Sequence, residues 1–245
     1  YFFFFQGASS LLDMILYYES TTHLDISDNS SMGTSGWRAL AHLIKQSVRL
    51  SRLDVCNVPM ADYPAQSLSQ ALLTSRLTVL HLHNAQLSGM PLYTLGALKK
   101  NKALQELHLT NNLLNSYQDA LQLGDLLRYN TTLQTLEISN NAVADDLEEL
   151  CDGLRWQTAG LKVLFLRNNQ ITAKGMVHLA KTLAVALAEF LAENHHIQRL
   201  DLRQNQVKLG GLMALCLALR INRSLASLDL DHMPPQEQSP TQTSD

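Results

Sequence analysis

LKVLFLRNNQI, residues 161–171, is the stretch on which the fold turns. Leu161, Leu164, Leu166 and Ile171, with an Asn-Asn pair at 168–169, follow the pattern L-x-x-L-x-L-x-x-N and a further apolar residue two positions on. The same spelling recurs in LQELHLTNNLL (104–114), LQTLEISNNAV (133–143) and IQRLDLRQNQV (197–207). Weaker copies are THLDISDN (22–29), LSRLDVCNV (50–58), LTVLHLHNAQL (77–87) and a truncated LASLDLD (225–231). With the second leucine of each copy as anchor, the positions are 24, 53, 80, 107, 136, 164, 200 and 228, at intervals of 29, 27, 27, 29, 28, 36 and 28.

A period of this length implies one physical unit used eight times: a short strand, an asparagine turn and a helix that returns the chain to the next strand. By the two-residue alternation of a strand, Leu107 and Leu109 point inward while Glu106, His108 and Thr110 point out. Asn112 stands where the chain leaves the strand, and its amide can satisfy turn groups that would otherwise be buried without partners. LQLGDLLRYN (121–130) and HLIKQSV (42–48) carry apolar residues at i, i+3 and i+4, one core-facing helical stripe each. Units of this length with a full outer helix resemble the longer leucine-rich repeat of the ribonuclease-inhibitor type. Helices are wider than the strand spacing of about 4.8 Å, so stacked units must bend. The expected fold is α/β: a curved right-handed leucine-rich-repeat solenoid, a horseshoe with parallel strands on the concave face and helices on the convex face.

One interval departs. Thirty-six residues separate Leu164 from Leu200, through ITAKGMVHLAKTLAVALAEFLAENHHI (171–197). Either one long helix bulges from the convex side, or two repeat helices are joined where a segment is missing near 184/185. The domain is expected over residues 8–231. YFFFFQG (1–7) reads as a cleavage scar left by expression, and HMPPQEQSPTQTSD (232–245), proline-rich and aperiodic, reads as a disordered tail.

The bulk numbers limit the function classes. A chain of 245 residues that is 46% hydrophobic and 17% charged can bury a sizeable core. Its net charge of −3, pI near 6.3 and lack of a basic run remove the electrostatic basis for binding nucleic acid. No apolar run approaches the roughly 20 residues needed to span a bilayer, so no membrane role is expected. Cys56, Cys151 and Cys216 form neither a disulfide framework nor a zinc spacing, which suits a reducing, cytoplasmic setting, with the nucleus also open to it. The sequons at Asn29, Asn130 and Asn222 read as turn and cap asparagines.

Candidate functional residues lie on the concave face. Asp54, His81, His108, Glu137, Phe165 and Asp201 occupy its middle column, with His83, Arg167 and Arg203 beside them. This polar face of mixed sign suits an unidentified protein partner better than a small molecule, which prefers a deep apolar pocket. His81, His83 and His108 stand where they could approach one metal, but a flat sheet splays parallel side chains apart, so no metal is assigned. Cys56 has no histidine at a matching position to activate it. With no phosphate loop, nucleophile elbow or HExxH motif, no catalytic residue, no cofactor and no enzyme activity are expected.

GTSGWRALAHLIKQS (33–47), VLHLHNAQLSG (79–89), NLLNSYQDALQLGDLLRYN (112–130) and LGGLMALCLALRINRSLASLDLD (209–231) resemble the repeat domain of the protein phosphatase 1 regulatory subunit 37 family. That resemblance covers nearly the whole chain from Gly7 to Asp231. It implies a non-catalytic scaffold that binds and restrains the phosphatase catalytic subunit through an Arg/Lys-Val-x-Phe peptide preceding the repeats. It also implies about two further repeats around 184/185. The alternative is a sensor module like those of NOD-like receptors. Lys162-Val163-Leu164-Phe165 spells the docking peptide, yet its place in the repeat predicts an internal strand, with Val163 and Phe165 on the concave face.

Overall fold

The computed structural model describes residues 7–157, 160–185 and 197–231. Eight strands of three residues form one parallel sheet in chain order: β1 (His23–Asp25), β2 (Arg52–Asp54), β3 (Val79–His81), β4 (Glu106–His108), β5 (Thr135–Glu137), β6 (Val163–Phe165), β7 (Arg199–Asp201) and β8 (Ser227–Asp229). Every anchor leucine is the middle residue of its strand and faces the next anchor in register, from Leu24 against Leu53 to Leu200 against Leu228. The long interval does not disturb this, because Leu164 still pairs with Leu200.

Behind the strands lie α1 (Gly7–Tyr18), α2 (Gly33–Gln46), α3 (Asp62–Leu72), α4 (Met90–Thr94), α5 (Tyr117–Tyr129), α6 (Leu147–Trp156), α7 (Ala173–Val185) and α8 (Leu209–Leu219). Neighbouring helices touch along the stack, α5 against α6 most closely. The core is one continuous layer between strands and helices, built from Leu53, Leu80, Leu107, Leu136, Leu164 and Leu200 and their helical counterparts. The result is the curved leucine-rich-repeat solenoid that the period implies.

Differences from the expected unit have local causes. The third unit has no full helix: α4 gives way to a 3₁₀ turn over Leu95–Lys100. Its apolar residues Leu92, Leu95 and Leu98 are spaced by three, the 3₁₀ period, so the tighter winding buries all of them. The stretch 42–48 is helical only to Gln46, because Ser47 turns extended and uses its hydroxyl to accept from the backbone N–H of Arg49 and Leu50. The first helix begins at Gly7, inside the stretch read as a scar. The 184/185 junction falls on the last two residues of α7, while residues 1–6, 158–159, 186–196 and 232–245 lie outside the described residues, and with them most of the remnant and the tail.

Two asparagine ladders close the layers. On leaving the strand, Asn112 Nδ2 donates to Leu82 O while its Oδ1 accepts from Ala85 N–H, reaching back one repeat. Asn141 does the same for Leu109 O, Asn112 N–H and Leu114 N–H, and Asn205 for Leu166 O, Asn169 N–H and Ile171 N–H. At the helix ends, Asn101, Asn130 and Asn222 donate to Leu72 O, Leu98 O and Leu183 O of the preceding repeats. The sequon residues Asn130 and Asn222 are thus structural amides.

Candidate functional site: the concave face

The strand face presents its side chains in two groups. Toward the N-terminal half, Asp54 is a hub. Arg52 Nε and Nη2 donate to it at 3.0 Å each, His23 Nε2 lies 2.7 Å from its Oδ2, and His81 Nδ1 lies 3.2 Å from its Oδ1. Burial pushes this carboxyl up, but the hydrogen bonds from Arg52 and His23 outweigh it and hold Asp54 below its ordinary value. Only 7% of Asp54 remains exposed, so it organises its neighbours and offers little of itself to a partner.

His81 continues the network sideways. Its ring centroid is 4.3 Å from that of His108 and 5.2 Å from that of His83. Burial, followed by the positive field of His108, lowers its pKa to about 4, against the pull of Asp54 in the other direction. His83 is lowered as well, chiefly by burial. His108 Nδ1 sits 2.6 Å from Glu137 Oε2, and this bond keeps the Glu137 carboxyl below its usual range although burial opposes it. The Glu106 carboxylate flanks His108 Nε2 at 3.5 Å.

Each of these side chains is placed by register. His81, His108 and Glu137 are third residues of β3, β4 and β5 and stand side by side in the ladder. His83 follows β3, and its carbonyl is held by the N–H of Asn57. The expectation that a flat sheet keeps the rings apart is not met. Imidazoles on strands at sheet spacing, tilted against one another, close to 4.3–6.0 Å between centroids. Among the described residues, His83, His108 and Glu137 each offer a ligand atom within 4.8 Å of the other two.

The C-terminal half carries a different surface. Arg199 lies over the Phe165 ring at 5.4 Å and reaches Asp229 at 3.2 Å. Arg203 Nη2 donates to Asp201 Oδ2 at 2.6 Å, and Asp201, like Asp54, is almost covered. Burial raises the Asp201 pKa, and the bonds from Arg203 more than reverse the shift. Arg167 donates to Gln204 Oε1 at 2.9 Å. All nine predicted side chains therefore belong to the strand face, in two clusters rather than one. His23, Arg52, Glu106 and Arg199 complete these clusters. They occupy the first outward column of their strands, so the register that located the others marks them too.

Cys56 is half-buried without an activating partner among the described residues, and burial drives the Cys151 thiol up to about 12. No helix among the described residues is long and apolar enough to cross a membrane.

Eight in-register strands, a backing layer of helices and an asparagine at most strand exits define a leucine-rich-repeat protein, and a family model described as "Leucine Rich repeat" matches residues 129–146 and 193–216. Within that class, the chain is similar to protein phosphatase 1 regulatory subunit 37. It is 45% identical to protein phosphatase 1 regulatory subunit 37 of Bos taurus and 44% identical to that of Homo sapiens, over 73% of this chain and 26% of each relative. The chain spans about a quarter of the length of these curated relatives. A human NACHT, LRR and PYD domains-containing protein 12 is 28% identical over 78% of the chain and 18% of that relative.

Proposed function

We propose that the chain is the interaction domain of a non-catalytic regulatory subunit of protein phosphatase 1, one that restrains the enzyme. The observation that carries this reading is the 45% identity over 73% of the chain to a protein named as such a subunit. In this reading the phosphatase is engaged through an Arg/Lys-Val-x-Phe peptide outside the repeats, and the concave face holds a second protein.

The internal spelling of that peptide cannot serve. Lys162 precedes β6, and Val163-Leu164-Phe165 are β6 itself, paired on both sides to β5 and β7. Such peptides dock by adding a strand to an open sheet edge, which requires free main-chain groups. Extracting β6 would break both ladders and expose Leu164 and Leu166, each stabilising by about 1.5–3 kcal/mol when buried. Val163 and Phe165 contribute through their side chains alone, as part of the concave face.

A cytoplasmic setting, with access to the nucleus, belongs to this proposal. It is supported by three free thiols and by sequon amides already committed to backbone bonds. The receptor-sensor alternative draws on the 28% likeness, well below the 45% that supports the regulatory-subunit reading.

The test is a pull-down of phosphatase catalytic subunit by this chain and by a version extended N-terminally through the relatives' docking region. Capture and inhibition by the extended form alone support the division of labour. Equal capture by both forms would contradict it.

A further inference from the structure

We infer that His83, His108 and Glu137 form a divalent-metal site of the zinc type on the concave face, with a fourth position left to water or to a side chain of a bound protein. Two imidazoles and one carboxylate are a donor set that suits Zn²⁺ and its borderline neighbours. Their ligand atoms lie within 4.8 Å of one another. Tetrahedral zinc with bonds of about 2.0–2.2 Å holds its donors about 3.3–3.6 Å apart, so the metal would replace the 2.6 Å bond between His108 Nδ1 and Glu137 and asks for shifts of about 1 Å. Side-chain torsions of Glu137 and His83 can supply that without moving the sheet.

The surroundings favour a ligand over a self-sufficient polar cluster. The ring nitrogens of His83 make no hydrogen bond among the described residues, although the ring is half-buried against two other imidazoles. With His108 Nδ1 on the Glu137 side, its buried and unbonded Nε2 is left facing the Glu106 carboxylate at 3.5 Å, as the outer nitrogen of a ligating histidine faces a carboxylate. His81 packs against the His108 ring while bonded to Asp54, which fixes the orientation of His108 from the side away from Glu137. Outer partners of this kind hold ligand rings in place in metal sites. His108 and Glu137 face each other across one β4–β5 register step, so the backbone already positions them.

Calorimetric titration of the untagged chain with Zn²⁺ tests the assignment. One equivalent should bind, and His83→Ala and Glu137→Gln should each weaken it by at least about tenfold, the lower end of what even outer-shell changes cost. His42→Ala, on an exposed face of α2, should bind as the parent does. Zinc should raise the Tm of the parent but not of His83→Ala, whose metal-free Tm and circular dichroism verify that it folds. Failure of the parent to bind one equivalent, or equal affinity in His83→Ala, would overturn the assignment.

Discussion

Asn141, like Asn205, uses both ends of its side chain fully. Its amide donates to Leu109, Ile138 and Ser139 carbonyls and its Oδ1 accepts from Asn112 and Leu114. Asn169 donates to Ile138 and Arg167 carbonyls, but its buried Oδ1 has no partner. Leucine at either position strands turn groups, at about 1–3 kcal/mol each. Asn141→Leu should fall at the upper end and Asn169→Leu at the lower, read from urea denaturation; equal losses would mean that the orphaned oxygen is not the difference. The histidines add a pH signature. The His81 pKa falls from 6.5 to about 4, and His83 is lowered too. As pH drops below 6.5, the unfolded chain takes up protons that the folded chain refuses, so stability declines across the window down to about 4. Asp54 and Glu137, both depressed, keep their stabilisation until pH falls through their folded pKa values. His81→Gln should therefore flatten the slope of Tm against pH between 6.5 and 4. At this scale the anchors and turn asparagines were legible because their chemistry repeats. The burial of Asp54 and Asp201 was not, since it depends on which way Arg52, His81 and Arg203 turn, and no period records a rotamer.

Between elements, the tightest approach is α5 against α6. A Cβ on Gly124 would overlap the carbonyl oxygen of Glu149, and one on Gly153 would overlap that of Gly124. Backbone offers no flexible end to move aside, so Gly153→Ala forces the helices apart and should cost about 1–3 kcal/mol, as overpacking does. A melting experiment with Gly96→Ala as control separates this from helix propensity, since a Cβ at Gly96 meets only the far end of Lys99. Asp119 ties the same region together. It completes a capping box with Ser116 at the start of α5 and also accepts from Ser88 Oγ and Gly89 N–H at the start of α4, both at 2.8 Å. Asp119→Ala should lose about 1–3 kcal/mol by leaving buried donors without acceptors, with Asp119→Asn recovering part of it. Helix existence was readable from apolar spacing, whereas the 3₁₀ winding of Leu95–Lys100 hid in a three-residue step that also fits an α stripe. The glycine contact needs two helices in place before it has meaning.

Across the whole molecule, stability should be graded, because each coil rests only on its neighbours. The middle leucines of β2 to β7 are buried, while those of β1 and β8 are half-exposed. Hydrogen exchange should accordingly show strongest amide protection from β3 to β6 and weakest at β1 and β8; uniform protection would indicate a single all-or-none unit. The strand order was legible in full, since intervals near 28 residues admit hardly any other stacking. The division of the inner wall into a histidine–carboxylate half and an arginine–aromatic half was not, since it emerges only when side chains 27–36 residues apart in sequence are set shoulder to shoulder.

The undisturbed pairing of Leu164 with Leu200 across the longest interval has a practical corollary. Spacing along the sequence is decoupled from order in the sheet, so the chain resembles a bound book whose pages may differ in thickness while the spine holds. A fluorophore or affinity handle spliced into the span between α7 and β7 would leave the recognition surface in its original frame. That makes this span the natural attachment point for reporting on whatever the inner wall holds.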